Sequence, residues 1–318
     1  MSFERKQRVA LVLGIICLAT LCAAAAQKTT PRTQELRADG DEVSARWTDE
    51  ASGATVTVEA RGELTLTEDE TDVESLSRQG YLLVSEARGD SVRALEVTPD
   101  GDGRPRRRYT VNGVGRELDA EGRAWLARLL PEVASSAGVG ARARARRLVN
   151  QRGASAVVSE MSRFSSNSVK RLYAEELFRQ AASDPELLRQ LPQRVLGQIT
   201  SNGEKANLLI KHADLYLNAG SAADAYFEAV GTLSSSGERR RVVSALMKRP
   251  DLSDENLLRV LRAVGGINSS GEKAGFLLEF SSRFVHNAAV APSFYETVNS
   301  IGSGGERARV LSELVKRR

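Results

Sequence analysis

The side chains that could support catalysis or bind a metal are few in this chain of 318 residues. Its two histidines, His212 and His286, do not stand at ligand spacing from each other or from neighbouring carboxylates, and both cysteines, Cys17 and Cys22, lie in an apolar leader. No serine occupies a G-x-S-x-G elbow, and no G-x-G-x-x-G turn follows a strand. The sequence therefore predicts that the protein is not an enzyme and binds no metal or cofactor. The alternative is a hydrolase that uses dispersed carboxylates.

Two acidic segments have the composition of calcium loops, but their patterns differ from such a loop. Residues 68–72 have no glycine turn and no distal glutamate, and residues 100–103 have the pattern of a hairpin turn. We therefore expect neither segment to bind calcium.

One set of basic residues recurs at a constant spacing and is the candidate partner-binding site. These cations stand 34 residues apart and should line up along a helical array: Lys205, Arg239, Lys273 and Arg307. They could form a ridge that binds a protein or peptide. The alternative is a solvated face whose charge is balanced by neighbouring glutamates. Nucleic acid is not an expected partner, because no aromatic side chains alternate with the basic segments.

The elements that must position these cations are helices, because a helix start recurs with them. The segments ITSNGEKANLLI, LSSSGERRRVVS, INSSGEKAGFLL and IGSGGERARVLS begin at Ile199, Leu233, Ile267 and Ile301, and a degenerate copy, FSSNSVKRLYAE, begins at Phe164. In the four closer copies a serine precedes a glutamate by three residues. This spacing predicts a capping box, in which the hydroxyl accepts from the glutamate N–H and the carboxylate accepts from the serine N–H.

A second helix start lies midway through each repeat, at Asp184-Pro185, Ser221, Ser253-Asp254 and Ala291-Pro292. Each repeat is therefore predicted to be a helical hairpin, and residues 164–318 are predicted to form a right-handed all-α solenoid of 34-residue hairpins. Apolar residues near one position of the first helix should lie in the shared core: Leu209, Val243, Leu277 and Val310.

The N-terminal half has short alternating runs of β-branched and aromatic residues separated by turn residues. The predicted strands are 42–47, 54–60, 63–67, 80–87, 92–98 and 107–111, which should form an antiparallel sheet. A helix over 119–135 should cover one face, with a buried stripe made of Trp125, Leu126, Leu129, Leu130 and Val133. The predicted fold class is therefore α+β: a small antiparallel β-rich domain with a covering helix, followed by the solenoid.

The chain is predicted to have five segments. Residues 1–26 have the basic start, apolar stretch and A-x-A site of a signal peptide, and the alternative is an uncleaved N-terminal anchor. The segments that follow are a linker over 27–40, a β-rich domain over 41–138, connecting helices over 139–163 and the solenoid over 164–318.

The two halves of the chain differ in charge. Residues 27–138 carry 15 basic and 22 acidic side chains, and residues 139–318 carry 27 basic and 18 acidic side chains. The two halves either dock on each other, carry solvated faces, or offer a basic surface to an anionic partner.

The segments GELTLTEDETDVESLS from Gly62, GYLLVSE from Gly80, RALEVTPDG from Arg93 and WLARLLPE from Trp125, followed by the repeats, resemble a bacterial envelope family of unknown function. Related segments occur behind membrane metallopeptidases of the β-lactam-sensor type. The resemblance implies an exported, periplasmic or envelope-associated binding or scaffold protein, with a sensory role as an open option. It implies no catalytic residues, and contact with the membrane only if the leader stays uncleaved. The family's S-D-Y-E helix start is S-x-G-E here.

Overall fold

The structure is a computed structural model that describes residues 32–39, 42–49 and 52–316. The predicted leader over 1–26 and the first residues of the predicted linker lie outside them. Within the described residues, the N-terminal part is a seven-stranded antiparallel sheet and the C-terminal part consists of thirteen helices. The predicted combination of an antiparallel sheet followed by helices is therefore confirmed.

The described residues of the N-terminal part form nine strands, and every pair of neighbouring strands is antiparallel. They are β1 Arg32–Asp39, β2 Glu42–Asp49, β3 Ala54–Arg61, β4 Leu64–Leu66, β5 Val73–Leu76, β6 Tyr81–Arg88, β7 Ser91–Pro99, β8 Pro105–Val111 and β9 Val114–Arg116. The order in the large sheet is β1-β2-β3-β6-β7-β8-β9, and β4 and β5 form a separate hairpin. Trp47 of β2 pairs with Val56 of β3, and both side chains point into the core because alternate residues of a strand share one face.

Helix α1, Ala120–Ala137, covers one face of the sheet, and its predicted apolar stripe is buried. Asp119 caps the helix by accepting a hydrogen bond from the N–H of Gly122. The indole of Trp47 donates to Glu132 at 2.6 Å, so the largest buried side chain of the sheet has its polar group satisfied by the helix that covers it.

Strand β1 replaces part of the predicted linker over 27–40, because Arg32–Asp39 pairs with β2. Only Leu36 and Ala38 alternate with polar residues in this segment, and that pattern is too short to predict a strand. Both side chains pack against the hydrophobic core of the sheet and against that of the helices. Strand β1 therefore joins the two parts of the molecule.

Twelve further helices follow within the described residues. They are α2 Ala141–Arg152, α3 Ala154–Met161, α4 Asn167–Ala181, α5 Pro185–Leu196, α6 Asn202–His212, α7 Asp214–Leu217, α8 Ser221–Gly231, α9 Ser236–Met247, α10 Asp254–Gly265, α11 Ser270–Val285, α12 Ala291–Asn299 and α13 Gly304–Lys316. We call α4, α6, α9, α11 and α13 the first helices and α5, α8, α10 and α12 the second helices. Helices α2 and α3 occupy the segment predicted to connect the sheet to the repeats.

The helices pack in two rows. Each first helix contacts the next first helix, and each second helix contacts the next second helix. One hydrophobic core runs through them from Ala141 to Val310 and contains the residues predicted for it: Leu209, Val243, Leu277 and Val310. No helix in the described part of the chain combines the length and apolar character needed to cross a bilayer.

Candidate functional site

The four basic residues of the predicted site lie in the first turn of the first helices. Each of these helices begins after a serine whose hydroxyl accepts from the N–H of the glutamate three residues later, with an Oγ···N distance of 3.3 Å: Ser201, Ser235, Ser269 and Ser303. The cation is the residue that directly follows the glutamate. The predicted capping serines therefore set the start of each helix and, with it, the position of the basic residue in its first turn.

The glutamate carboxylates bind partners other than the serine N–H that the predicted capping box assigns to them. Glu204 accepts from Nε of Arg171 at 2.6 Å, and Arg171 belongs to the preceding first helix. The N–H of Ser269 donates to the hydroxyl of Ser236, again on the preceding first helix, at 3.2 Å. A guanidinium is a stronger donor to a carboxylate than a neutral N–H is. The helix starts therefore connect successive first helices.

Arg239 binds main-chain carbonyls at the ends of two second helices. Its Nη2 donates to Gly231 at 2.5 Å and to Leu233 at 2.7 Å, at the end of α8, and its Nη1 donates to Gly266 at the end of α10. The last carbonyls of a helix lack intrahelical donors and carry a partial negative charge, so a cation is favourable there. Arg239 therefore joins two successive second helices.

Lys273 makes the same connection between α10 and α12. Its ammonium donates to the carbonyl of Gly265 at 2.9 Å and to the carbonyl and hydroxyl of Ser300 at 3.2 and 3.1 Å. The side chain is buried, and that burial lowers the pKa of Lys273 below its usual value. Because the ammonium is enclosed by these acceptors, Lys273 is not accessible to a partner.

Arg307 and Lys205 lie at the two ends of the set. Arg307 is exposed, and its Nη1 lies 3.4 Å from the carbonyl of Asn299 at the end of α12. Lys205 is partly buried and forms no hydrogen bond or ion pair with the described residues. The four cations are therefore not equivalent. Arg239 and Lys273 each bind the ends of two neighbouring second helices, and we call each such contact a joint. Lys205 and Arg307 form no joint among the described residues.

Lys205 lies in a groove of about 560 Å³ between α5 and α8. Helix α5 contributes Arg189 and Arg194 to its walls, and α8 contributes Glu228 and Ala229. Arg189 is paired with Glu186 of its own helix at 2.7 Å, and Arg194 donates to the hydroxyl of Ser155 at 2.8 Å. Lys205 is therefore the cation of this groove that has no partner among the described residues.

The sequence did not predict a buried ionic cluster that lies where α4 meets the sheet. Arg171 donates from Nη2 to the carbonyl of Ala38 in β1 at 2.5 Å and from Nη1 to Glu175, in addition to its bond with Glu204. Glu175 is fully buried and also accepts from Lys211 at 2.6 Å. Burial by itself would raise the pKa of Glu175, but the Lys211 hydrogen bond and the charge of Arg171 bring it below its usual value. Arg171 thus connects the sheet to two first helices.

His212 lies beside this cluster at the end of α6. Its ring stacks on Phe178 with 4.9 Å between centroids, and its buried Nε2 has no hydrogen-bond partner among the described residues. Burial lowers the pKa of His212 to about 4, although the charge of Glu175 acts in the opposite direction. The imidazole is therefore a neutral packing group near pH 7, and no nucleophile or metal ligand among the described residues is paired with it.

Within the described residues, no three histidine, cysteine, aspartate or glutamate side chains come together as metal ligands would. In the acidic segment 68–72, Glu70 pairs with Arg144 of α2 at 3.0 Å, and Asp72 pairs with Arg107 of β8 at 2.9 Å. Glu70 adopts a left-handed backbone with φ of 58°, which is unfavourable for a residue with a side chain. The ion pair with Arg144 therefore holds the turn between β4 and β5 against the helices.

A comparison of the chain with protein-family models, with curated proteins and with solved structures gives no match in any of the three. Function is therefore inferred from the residues themselves, and above all from the groove in which Lys205 has no partner.

Proposed function

We propose that this protein is a non-enzymatic scaffold of the bacterial cell envelope that binds a protein or peptide partner. In this proposal residues 164–318 form a right-handed solenoid of 34-residue hairpins. The contacts between successive first helices and between successive second helices support it, as does the single hydrophobic core through them. A solenoid presents a long surface to a partner and needs no catalytic group to do so.

Export is proposed from the leader, which lies outside the described residues. Residues 1–26 would direct the chain out of the cytoplasm and be removed, so that the mature protein begins near Gln27. The resemblance to an envelope family agrees with this location and leaves a sensory role open. N-terminal sequencing of the protein from the envelope fraction tests cleavage, whereas full-length protein in the soluble cytoplasm contradicts export.

The open groove at Lys205 is the observation that supports binding. The counterparts of Lys205 in the next two repeats are held by helix ends, whereas Lys205 is uncommitted and shares its groove with Arg189 and Arg194. An acidic peptide segment would complement the charge of Lys205. Because Lys205 is already partly desolvated, its bond with a carboxylate should be stronger than that of a fully exposed lysine.

Fluorescence anisotropy with a labelled hexaglutamate peptide tests this binding on the mature protein. Lys205→Glu should weaken binding by about tenfold at low salt, because reversal of a partly buried charge changes a binding free energy by about 1 to 2 kcal/mol. Lys248→Glu, at the exposed end of α9, makes the same charge change and should alter binding by less than about twofold. Equal affinities of the wild type and Lys205→Glu contradict the proposal.

Reversal of all four predicted cations is a poorer experiment. A glutamate in place of Lys273 would bury a carboxylate among three oxygen acceptors and unfold the joint. The accessible pair, Lys205 and Arg307, is therefore the set to reverse. Crosslinking in intact envelopes with the wild type and with Lys205→Glu then identifies the natural partner, which should be captured less by the variant and, for the wild type, less at high salt.

A further inference from the structure

The ends of α5 and α8 carry the same acceptor groups as a joint, but none of the described cations binds them. In the joint between α10 and α12, Lys273 binds the carbonyl of Gly265 and the carbonyl and hydroxyl of Ser300. The residues two repeats earlier are Gly197 at the end of α5 and Thr232 at the end of α8, and both line the groove between these helices. No side chain of the described residues donates to either carbonyl. The groove therefore contains the acceptors of a joint.

The hydroxyl of Thr232 has the same arrangement as the hydroxyl of Ser300. Thr232 Oγ1 donates to the carbonyl of Ala229 at 2.7 Å, and Ser300 Oγ donates to the carbonyl of Thr297 at 2.7 Å. Because this bond uses the hydroxyl proton, the oxygen can accept a further hydrogen bond but cannot donate one. Ser300 accepts in this way from Lys273 at 3.1 Å. Thr232 therefore presents an acceptor that suits an ammonium or a guanidinium.

Glu228 adds a carboxylate to the same groove. It lies on α8 four residues before Thr232, it is exposed, and it forms no hydrogen bond or ion pair with the described residues. The carbonyls at the helix ends carry a partial negative charge as well. Lys205 also lines this groove and is not paired with Glu228. The groove therefore has a positive region at Lys205 and a negative region at Glu228 and the helix ends, and the two do not bind each other.

We propose that this groove binds a peptide segment in which acidic and basic side chains are neighbours. The acidic side chain binds the ammonium of Lys205. The basic side chain binds Glu228 and the carbonyls at the ends of α5 and α8, as Arg239 and Lys273 bind the helix ends in the two joints. The proposal rests on the proposed function, the binding of a peptide at Lys205, and adds which side chains of that peptide are recognised.

The two regions of the groove distinguish this segment from one of a single charge. A segment with only acidic side chains would bring carboxylates close to Glu228 and the helix ends, and a segment with only basic side chains would bring cations close to Lys205. A segment with both charges can place each of them where the groove carries the opposite charge. It is therefore expected to bind more tightly than either.

The test uses the mature protein and two labelled peptides with blocked termini, Glu-Lys-Glu-Lys-Glu-Lys and Glu-Gln-Glu-Gln-Glu-Gln. The peptides have the same carboxylates and differ only in the cation. Binding is measured by fluorescence anisotropy in about 0.15 M salt, which screens charges beyond about 8 Å. The lysine peptide should bind about fivefold more tightly, because a cation is favourable at a helix C-terminus and opposite a carboxylate. Long-range attraction to the basic half of the chain would favour the glutamine peptide instead.

Three variants locate this preference in the groove. Glu228→Gln keeps the size of the side chain and should reduce the preference for the lysine peptide to about twofold, because the carbonyls of the helix ends remain. Glu296→Gln is the matched control and should keep the fivefold preference. Glu296 is exposed at the same place in the repeat on α12, beside the joint that Lys273 occupies. Lys205→Glu should weaken binding of the glutamine peptide by about tenfold, which tests the proposed function separately.

Equal affinities of the two peptides for the wild type overturn the inference, and so does a preference that Glu228→Gln leaves at the wild-type value. Equal affinities are also the result expected if the ammonium of Lys205 itself binds the helix ends in solution. The proposed function survives these results if Lys205→Glu still weakens binding of the glutamine peptide. No saturable binding of either peptide contradicts the inference and the proposed function together.

Discussion

The stability of this protein should fall in mild acid because the partly buried His212 is neutral in the folded state. Its ring stacks on Phe178, its Nε2 has no partner among the described residues, and burial lowers its pKa to about 4 from its ordinary value of 6.5. Among the nearby charges, Glu175 favours the protonated form, whereas Lys211 and Arg179 oppose it. Burial and the two cations outweigh the carboxylate, so protonation is unfavourable in the folded state.

The sign of the effect follows from proton uptake. Between pH 6.5 and about pH 4 the unfolded chain binds a proton at His212 and the folded chain does not, so unfolding becomes more favourable as the pH falls. The full difference in pKa corresponds to about 3 kcal/mol, and about 2 kcal/mol of it should be lost between about pH 7 and about pH 4.5. Above the unfolded-state value, this contribution to stability is fully present.

His212→Phe keeps an aromatic ring against Phe178 but removes the titratable imidazole. The free energy of unfolding is measured by urea denaturation from about pH 7 to about pH 4.5 for the wild type and the variant. The wild type should lose about 2 kcal/mol more than the variant over this range, because the titrations of the carboxylates are common to both and cancel. His286→Phe alters an exposed histidine, keeps His212, and should retain the wild-type dependence. A constant difference between wild type and His212→Phe at every pH would refute the reasoning.

Three further substitutions test the packing, each by urea denaturation. Leu277→Ala removes a fully buried side chain and should lower the free energy of unfolding by about 2 to 5 kcal/mol, so an unchanged midpoint contradicts its place in the core. Ser269→Ala removes the cap of α11 and should cost about 1 kcal/mol, whereas Ser282→Ala on the exposed side of that helix should change stability by less than about 0.5 kcal/mol. Arg171→Met leaves buried Glu175 with one fewer cation and should cost about 3 kcal/mol, and the double variant with Glu175→Leu should recover part of that loss.

Local signals in the sequence predicted the helix starts and much of the core. A serine three residues before a glutamate is a short-range pattern, and the structure places the hydroxyl bond at all four copies. Three strands were missed because they are short or weakly alternating: β1, β5 and β9. Strand β1 pairs with the neighbouring β2 and packs against α4, which is distant in sequence, so its own residues carry little of the signal.

The candidate site was predicted only as a set of positions. Spacing predicts that Arg239 and Lys273 share one place in the repeat, but it does not show that the ends of two second helices meet there. The buried cluster was missed for a related reason. Arg171 and Glu175 stand four residues apart on α4, which is also the spacing of an ordinary surface ion pair. The packing of β1, α2 and α6 against α4 buries them, and the bond to β1 makes Arg171 a connection between the sheet and the helices.

The cations at the joints have a consequence for the shape of the array. Arg239 and Lys273 each span the gap between two neighbouring helix ends, and their side chains differ in length and in the geometry of their donors. Lysine and arginine alternate at this position along the chain, from Lys205 to Arg307. At these two positions the length of the side chain limits how far apart the two helix ends that it binds can lie. We expect the exchange of lysine and arginine at Arg239 or Lys273 to change the distance between those helix ends while the hydrophobic core keeps the same residues.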